Sequence, residues 1–272
     1  EIRKQRIGIQ QGLFGFGITG VHEAGIDFDE LEILKQMVDN GDLSLNIYAM
    51  LNPTKENRVF ALENGVFRLK NLSVRSFKAY VDGALGSSGA LLKKDYEDKP
   101  GYQGLCLMNP EELNELGEFC LDVGYQLNSH GIGDSAISII LDMCSNIYNR
   151  KPDHRFRIEH AQIVDPEDLH KFGDYAVFPS VQPTHATTDQ RWVQSKIGKQ
   201  RMTGAYAFKS LKNQLGMIAL GTDFPVEYTN PFFTIHAAVH RMNNQNYPSG
   251  GFLKSEALSM EETLKGMTFW NA

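Results

Sequence analysis

Short apolar runs alternate along this chain with longer stretches in which apolar positions recur at helical spacing, and that alternation predicts βα units around a parallel sheet. The runs of strand length are Gly17–His22, Leu45–Met50, Val74–Val81, Tyr125–Ser129, Arg155–Glu159, Ala176–Val181 and Met217–Gly221. Between them, Asn109-Pro110-Glu111-Glu112 opens a helix with a cap, a first-turn proline and acidic residues at the positive end of the dipole. Leu113, Leu116, Cys120 and Val123 form its apolar stripe and Gly124 closes it. A second helix is predicted from Asp165-Pro166 to near Gly173, and a third from Asn230-Pro231 to about Arg241.

Seven βα units without internal repeats or low-complexity linkers predict an α/β fold, a (β/α)8 TIM-type barrel lacking one strand, with residues 1–272 as one domain; such a barrel takes about 250 residues. A doubly wound open sheet is the alternative. Gly12, Gly15 and Gly17 do not follow the GxGxxG order and no clear strand precedes them, which argues against a dinucleotide loop. The chain opens Glu1-Ile2-Arg3-Lys4 in what reads as mid-helix and stops at Trp270-Asn271-Ala272 without a terminating signal, so both ends are expected to be cut.

Composition narrows the function classes. A net charge of −6 without a dense Lys/Arg run leaves no electrostatic footprint for nucleic acid or an anionic membrane surface, and a small-molecule substrate fits better. No apolar stretch approaches the roughly 18 residues that span a bilayer. Cys106, Cys120 and Cys144 are odd in number and far apart, so they read as buried reduced thiols rather than a disulfide framework or a CxxC metal site. The cytoplasm is the default expectation for compartment, and a homo-oligomer is open.

The polar residues that follow the strands carry the chemistry. Lys78 lies late in the third run, His130 directly follows Ser129, His160 follows Glu159, and Asp223 follows Gly221-Thr222. The C-terminal ends of strands are where (β/α)8 enzymes build their sites. Period-2 alternation puts Gln126 and Asn128 on the side of His130, and the small Ala219 and Gly221 on the side of Asp223. Each residue also has a structural reading: a strand-end histidine can be a hydrogen-bonded structural residue, and an Asp before Phe-Pro can make a turn. Convergence on successive strands favours ligands. His22 and His185, also near strand ends, could contact substrate at the mouth. His236-Ala237-Ala238-Val239-His240 lacks the Glu of HExxH and reads as ordinary helix surface. The Gly/Ser-rich loop from Gly83 to Leu92 is expected to shape the substrate pocket.

Taken with their neighbours, these residues resemble the amidohydrolase superfamily. The matching motifs are Phe77-Lys78 with Asp82-Gly83-Ala84-Leu85-Gly86-Ser87, then His130-Gly131-Ile132-Gly133-Asp134, Ile158-Glu159-His160-Ala161-Gln162, and Gly221-Thr222-Asp223-Phe224-Pro225-Val226. They look like that superfamily's strand 4, 5, 6 and 8 signatures, and the branch that includes N-substituted formamide deformylase is the most similar. The resemblance implies that Lys78 is carboxylated and bridges metals, that His130 and His160 are metal ligands, that Asp223 is both ligand and catalytic acid–base group, and that Asp82 and His185 serve substrate binding. It implies one or two divalent ions, zinc by default, and hydrolysis of a non-peptide carbon–nitrogen bond in an amide, formamide or cyclic amide. The first-strand His-x-His pair and the flanking β-sandwich domain of that superfamily have no counterpart in these 272 residues, so an incomplete metal site is expected. Two other readings stay open: a metal-free barrel lyase in which Lys78 forms a Schiff base, and a catalytically inert barrel fragment.

Overall fold

The computed structural model describes residues 1–271, and the chain falls into two compact units, residues 1–79 with 115–128 and residues 80–114 with 129–272. The first unit begins with α1 (Ile2–Gly15), β1 (Gly20–Ile26), α2 (Phe28–Asp39), β2 (Asn46–Leu51), α3 (Lys55–Asn64), β3 (Phe67–Leu69) and β4 (Leu72–Tyr80). Then α4 (Pro110–Val123) and β5 (Gln126–Gly131) are each divided between the units. The second unit continues with α5 (Asp134–Arg150), β6 (Arg157–His160), α6 (Lys171–Asp174), β7 (Phe178–Val181), α7 (Pro183–Asp189), α8 (Val193–Arg201), α9 (Phe208–Leu215), β8 (Ala219–Leu220), α10 (Pro231–His240) and α11 (Met260–Met267).

In the first unit β1 pairs parallel with β2 from Gly20 opposite Asn46, and β2 pairs parallel with β4 from Ile47 opposite Leu72. In the second, Arg157 of β6 stands opposite Phe178 of β7, and Ser180 of β7 opposite Ala219 of β8, again in parallel. Strand neighbours follow chain order, with helices between, which is the α/β arrangement of an incomplete (β/α)8 barrel. All seven predicted strands are present, and β3 is an addition. It forms a short antiparallel hairpin with β4, too brief to leave a periodic signal.

Amphipathic spacing explains the helices that cover these strands. Leu31, Leu34, Met37 and Val38 make the buried stripe of α2, and Ile137, Ile140, Leu141 and Cys144 that of α5. Helix starts are chemically marked: the Thr54 hydroxyl accepts from Asn57 N at α3, and Ser259 and Glu262 form a reciprocal capping box at α11. Gly131 lets β5 approach α5 closely: a Cβ there would come within 2.6 Å of Ile140 Cδ1, and that side chain would have to move.

Several boundaries differ from expectation for visible reasons. Residues Gly17–Thr19 end α1 rather than open β1, because Gly17 takes the left-handed conformation with φ 75°. Arg155 and Ala176 have φ 58° and 52°, so β6 and β7 each begin two residues later than predicted. No helix starts at Asp165, because its carboxylate accepts from Glu167 N two residues on and the chain makes a turn; only α6 follows. Cys120 and Cys144 are buried, whereas Cys106 is exposed, contrary to the sequence reading; all three are free thiols.

Candidate metal centre

The C-terminal ends of β5 and β6 and the segments after β7 and β8 bring four of the singled-out residues together in the second unit. His160 is the last residue of β6, His185 lies in the first turn of α7 after β7, and Asp223 follows β8. One donor atom from each of these three lies within 4.8 Å of the others, and they are the one such group of three among the described residues. The ring of His130, on β5, meets that of His160 edge-on at 4.5 Å between centroids. His185 stacks on His160 at 6.0 Å between centroids, with its Nε2 3.9 Å from Asp223 Oδ2.

The backbone is bent to make this cluster. His160 has φ 76° with Ala161 at 40°, and Asp223 has φ 58°, conformations that cost a residue with a Cβ about 1–2 kcal/mol each. Such strain persists where surrounding structure over-determines it, and here it falls on two of the three donors. The turn at Asp223 is closed by Val226 N donating to its carbonyl at 2.9 Å.

Electrostatics set the imidazoles up as lone-pair donors. Burial pushes His185 down to about 4, so it is neutral at physiological pH, and its buried Nε2 has no hydrogen-bond partner. His160 Nδ1 lies 2.8 Å from Gln182 Oε1; an amide oxygen only accepts, so Nδ1 carries a proton, and in the neutral ring the lone pair is on Nε2. A neutral imidazole fixed through its second nitrogen is the form that binds a metal ion. The donor set of two histidines and a carboxylate, with an orphaned buried nitrogen among them, therefore fits a divalent cation of the zinc type.

The remaining predicted residues take distinct places. Lys78 is buried on β4 in the first unit. Asp82 has no exposed side-chain surface: its oxygens accept from Leu91 N, Ile132 N and Gly133 N, and burial pushes its pKa up to about 7 despite those bonds. His22 lies mid-strand in β1, its ring 4.8 Å from that of Tyr48. The rings of His236 and His240 on α10 meet at a tilt of 43° with centroids 5.0 Å apart, away from any third donor among the described residues.

Three neighbours carry no signal in the sequence reading. Gln182 is the first residue after β7; Tyr80, the last residue of β4, places its ring 5.8 Å from that of His130. Burial first and the charge of Asp223 second raise the Tyr80 hydroxyl above its ordinary pKa. Asp189, four residues after His185 on α7, accepts from Gln162 Nε2 at 3.0 Å and Tyr206 Oη at 2.7 Å, which ties α7 to the segment following His160.

Residues 10–272 match the model of the amidohydrolase family. The chain belongs to that family. Among curated proteins, this amidohydrolase is 37% identical over 210 residues to Protein LONG AFTER FAR-RED 3 of Arabidopsis thaliana, covering 76% of the chain and 36% of that protein. It is 31% identical over 190 residues to the putative amidohydrolase YtcJ of Bacillus subtilis, covering 70% of the chain and 36% of YtcJ. Among solved structures, an uncharacterized metal-dependent hydrolase from Pyrococcus furiosus superposes with a TM-score of 0.87 at 29% identity, over 98% of this chain and 54% of that one. The amidohydrolase thus spans 36% of each of these curated relatives. Among the described residues, no helix is long and apolar enough to cross a membrane.

Proposed function

We propose that this amidohydrolase carries the C-terminal ligand cluster of a metal-dependent hydrolase that cleaves a non-peptide carbon–nitrogen bond in an amide, formamide or cyclic amide. The observation that carries the reading is the convergence of His160, His185 and Asp223, with His185 neutral through burial and the ring of His160 oriented by Gln182. These three residues would hold a divalent ion of the zinc type, with His130 beside them; on the family resemblance Lys78 would be carboxylated. A bound ion would supply a Lewis acid that lowers the pKa of an attacking water and polarises the scissile carbonyl. Asp223 accepts the proton of that water through its carboxylate and delivers it to the leaving nitrogen, so that water adds across the C–N bond and acid and amine depart. Tyr80, with its hydroxyl in the field of Asp223, faces the substrate as a hydrogen-bond donor.

Support comes from the family and from relatives described as a putative amidohydrolase and a metal-dependent hydrolase. The test is calorimetric titration of the chain with Zn²⁺ or Co²⁺, alongside His160→Ala, His185→Ala and Asp223→Ala, followed by an amide and formamide hydrolysis screen. Binding that each substitution weakens at least tenfold supports the reading. A folded chain that takes up no ion from either salt overturns it.

A further inference from the structure

Among the described residues no Lys or Arg side chain bonds the buried carboxylate of Asp82, which is held by backbone from two segments. Its Oδ2 accepts from Leu91 N at 2.9 Å, in the loop after β4, and from Gly133 N at 2.8 Å, at the start of α5. Its Oδ1 accepts from Ile132 N at 3.0 Å, and that same oxygen lies 3.5 Å from Nε2 of His130. The His130 side chain is itself only 13% exposed, so neither group is water-screened. Three N–H donors fix the carboxylate in place before the imidazole is considered; a carboxylate so anchored is a rigid reference for whatever its remaining lone pair faces.

We infer that Asp82 is a positioning residue for His130: its anchored carboxylate, 3.5 Å from the buried Nε2, favours the proton on that nitrogen and so leaves Nδ1 as the nitrogen with a lone pair in the neutral ring. The inference rests on the reading of His130 as part of a metal centre for its functional meaning, though not for its geometry. It also gives the Asp82-Gly83 motif a role that requires no contact with substrate. The backbone bonds make the opposite case concrete as well, since a carboxylate could serve only to cap Leu91, Ile132 and Gly133.

Asp82→Asn separates the two roles. Its oxygen would turn to the pair of donors, Leu91 N and Gly133 N, at the cost of the Ile132 N bond, and its NH2 would then face His130 Nε2 and favour that nitrogen as an acceptor. Imidazole ¹⁵N–¹H correlation spectra at pH 8, with His130 assigned from a His130→Gln spectrum, read the tautomer without any metal. The expected result is Nε2–H in the native chain and Nδ1–H in Asp82→Asn, with Co²⁺ affinity falling 10–100-fold, as is typical when a ligand's orienting partner is lost. An Nδ1–H tautomer in the native chain overturns the inference even if the variant fails to fold, and so does a folded variant with unchanged tautomer and affinity. A native chain that binds no ion but shows the tautomer switch would overturn the metal-centre reading and leave the positioning role standing.

Discussion

His160 and Gln182 are joined by a 2.8 Å contact between Nδ1 and Oε1, a bond that bridges the end of β6 and the residue that follows β7. Replacing Gln182 with Leu keeps the volume roughly constant and removes the acceptor, so Nδ1–H is left buried and the ring loses its tautomer lock. We expect a 10–100-fold loss of Zn²⁺ or Co²⁺ affinity and about 1–3 kcal/mol of stability. Competition against a chromophoric chelator measures the first, and wild-type affinity in Gln182→Leu would show that the bond does not orient His160 for an ion.

The contrast between His160 and Gln182 also marks what the sequence could reveal. His130, His160 and Asp223 could be singled out because each stands at or just beyond the end of a run of strand length, where this fold places chemistry. His185 was expected only as a substrate contact near a strand end: it sits three residues into a helix that starts just after β7, and nothing in that position announces that it meets His160 and Asp223. Gln182 and Asp189 left no trace, since their partners lie 22 and 27 residues away in sequence and no periodicity joins them. The strand order was readable from alternation, while boundaries at Gly17, Arg155 and Ala176 depended on positive φ values that residue type alone does not dictate for Arg or Ala.

Gly133 and Gly12 should respond oppositely to alanine. A Cβ on Gly133 would sit 2.0 Å from the carbonyl oxygen of Leu91, a backbone atom that cannot swing aside, while its φ of −82° is ordinary. Steric conflict alone is therefore expected to cost about 3 kcal/mol in Gly133→Ala. Gly12 lies within α1 with nothing within 4 Å of its added Cβ, so Gly12→Ala should stabilise by about 0.5–1 kcal/mol. Urea unfolding of both variants decides, and a neutral Gly133→Ala would mean that the loop at Leu91 shifts freely.

Lys93 holds two carboxylates, Asp165 at 2.8 Å and Asp168 at 2.7 Å. Its bond lowers the pKa of Asp165; Asp168 is lowered too, the Lys171 and Lys93 bonds outweighing its burial. A carboxylate depressed in the folded state adds stability above its unfolded pKa, and that contribution disappears as pH falls through the folded value. Lys93→Met should cost about 1 kcal/mol at pH 7 after allowance for solvent screening, and progressively less as the pH falls below the ordinary carboxylate value of 3.8. A cost that stays constant throughout acid titration would assign the loss to packing of the lysine stem instead.

Asp189 predicts the reverse pH dependence. Burial pushes its pKa from an ordinary 3.8 to about 6, against the bonds from Tyr206 and Gln162 and with a contribution from the nearby charge of Glu227. The folded carboxyl thus holds its proton more tightly than the unfolded one, so between roughly pH 4 and 6 the folded state binds more protons and stability falls as pH rises. Above pH 6 the buried charge costs about 3 kcal/mol relative to the neutral form. Asp189→Asn keeps an oxygen for Tyr206 Oη and Gln162 Nε2 but never ionises. The stability of the variant minus that of the native chain should therefore grow by up to about 3 kcal/mol from pH 4 to 7 and level off above it. Denaturant titrations at half-unit pH steps follow this difference. A flat difference across the range would mean that Asp189 ionises without penalty, and that the link between α7 and the segment after His160 is built on a charge the fold has already accommodated.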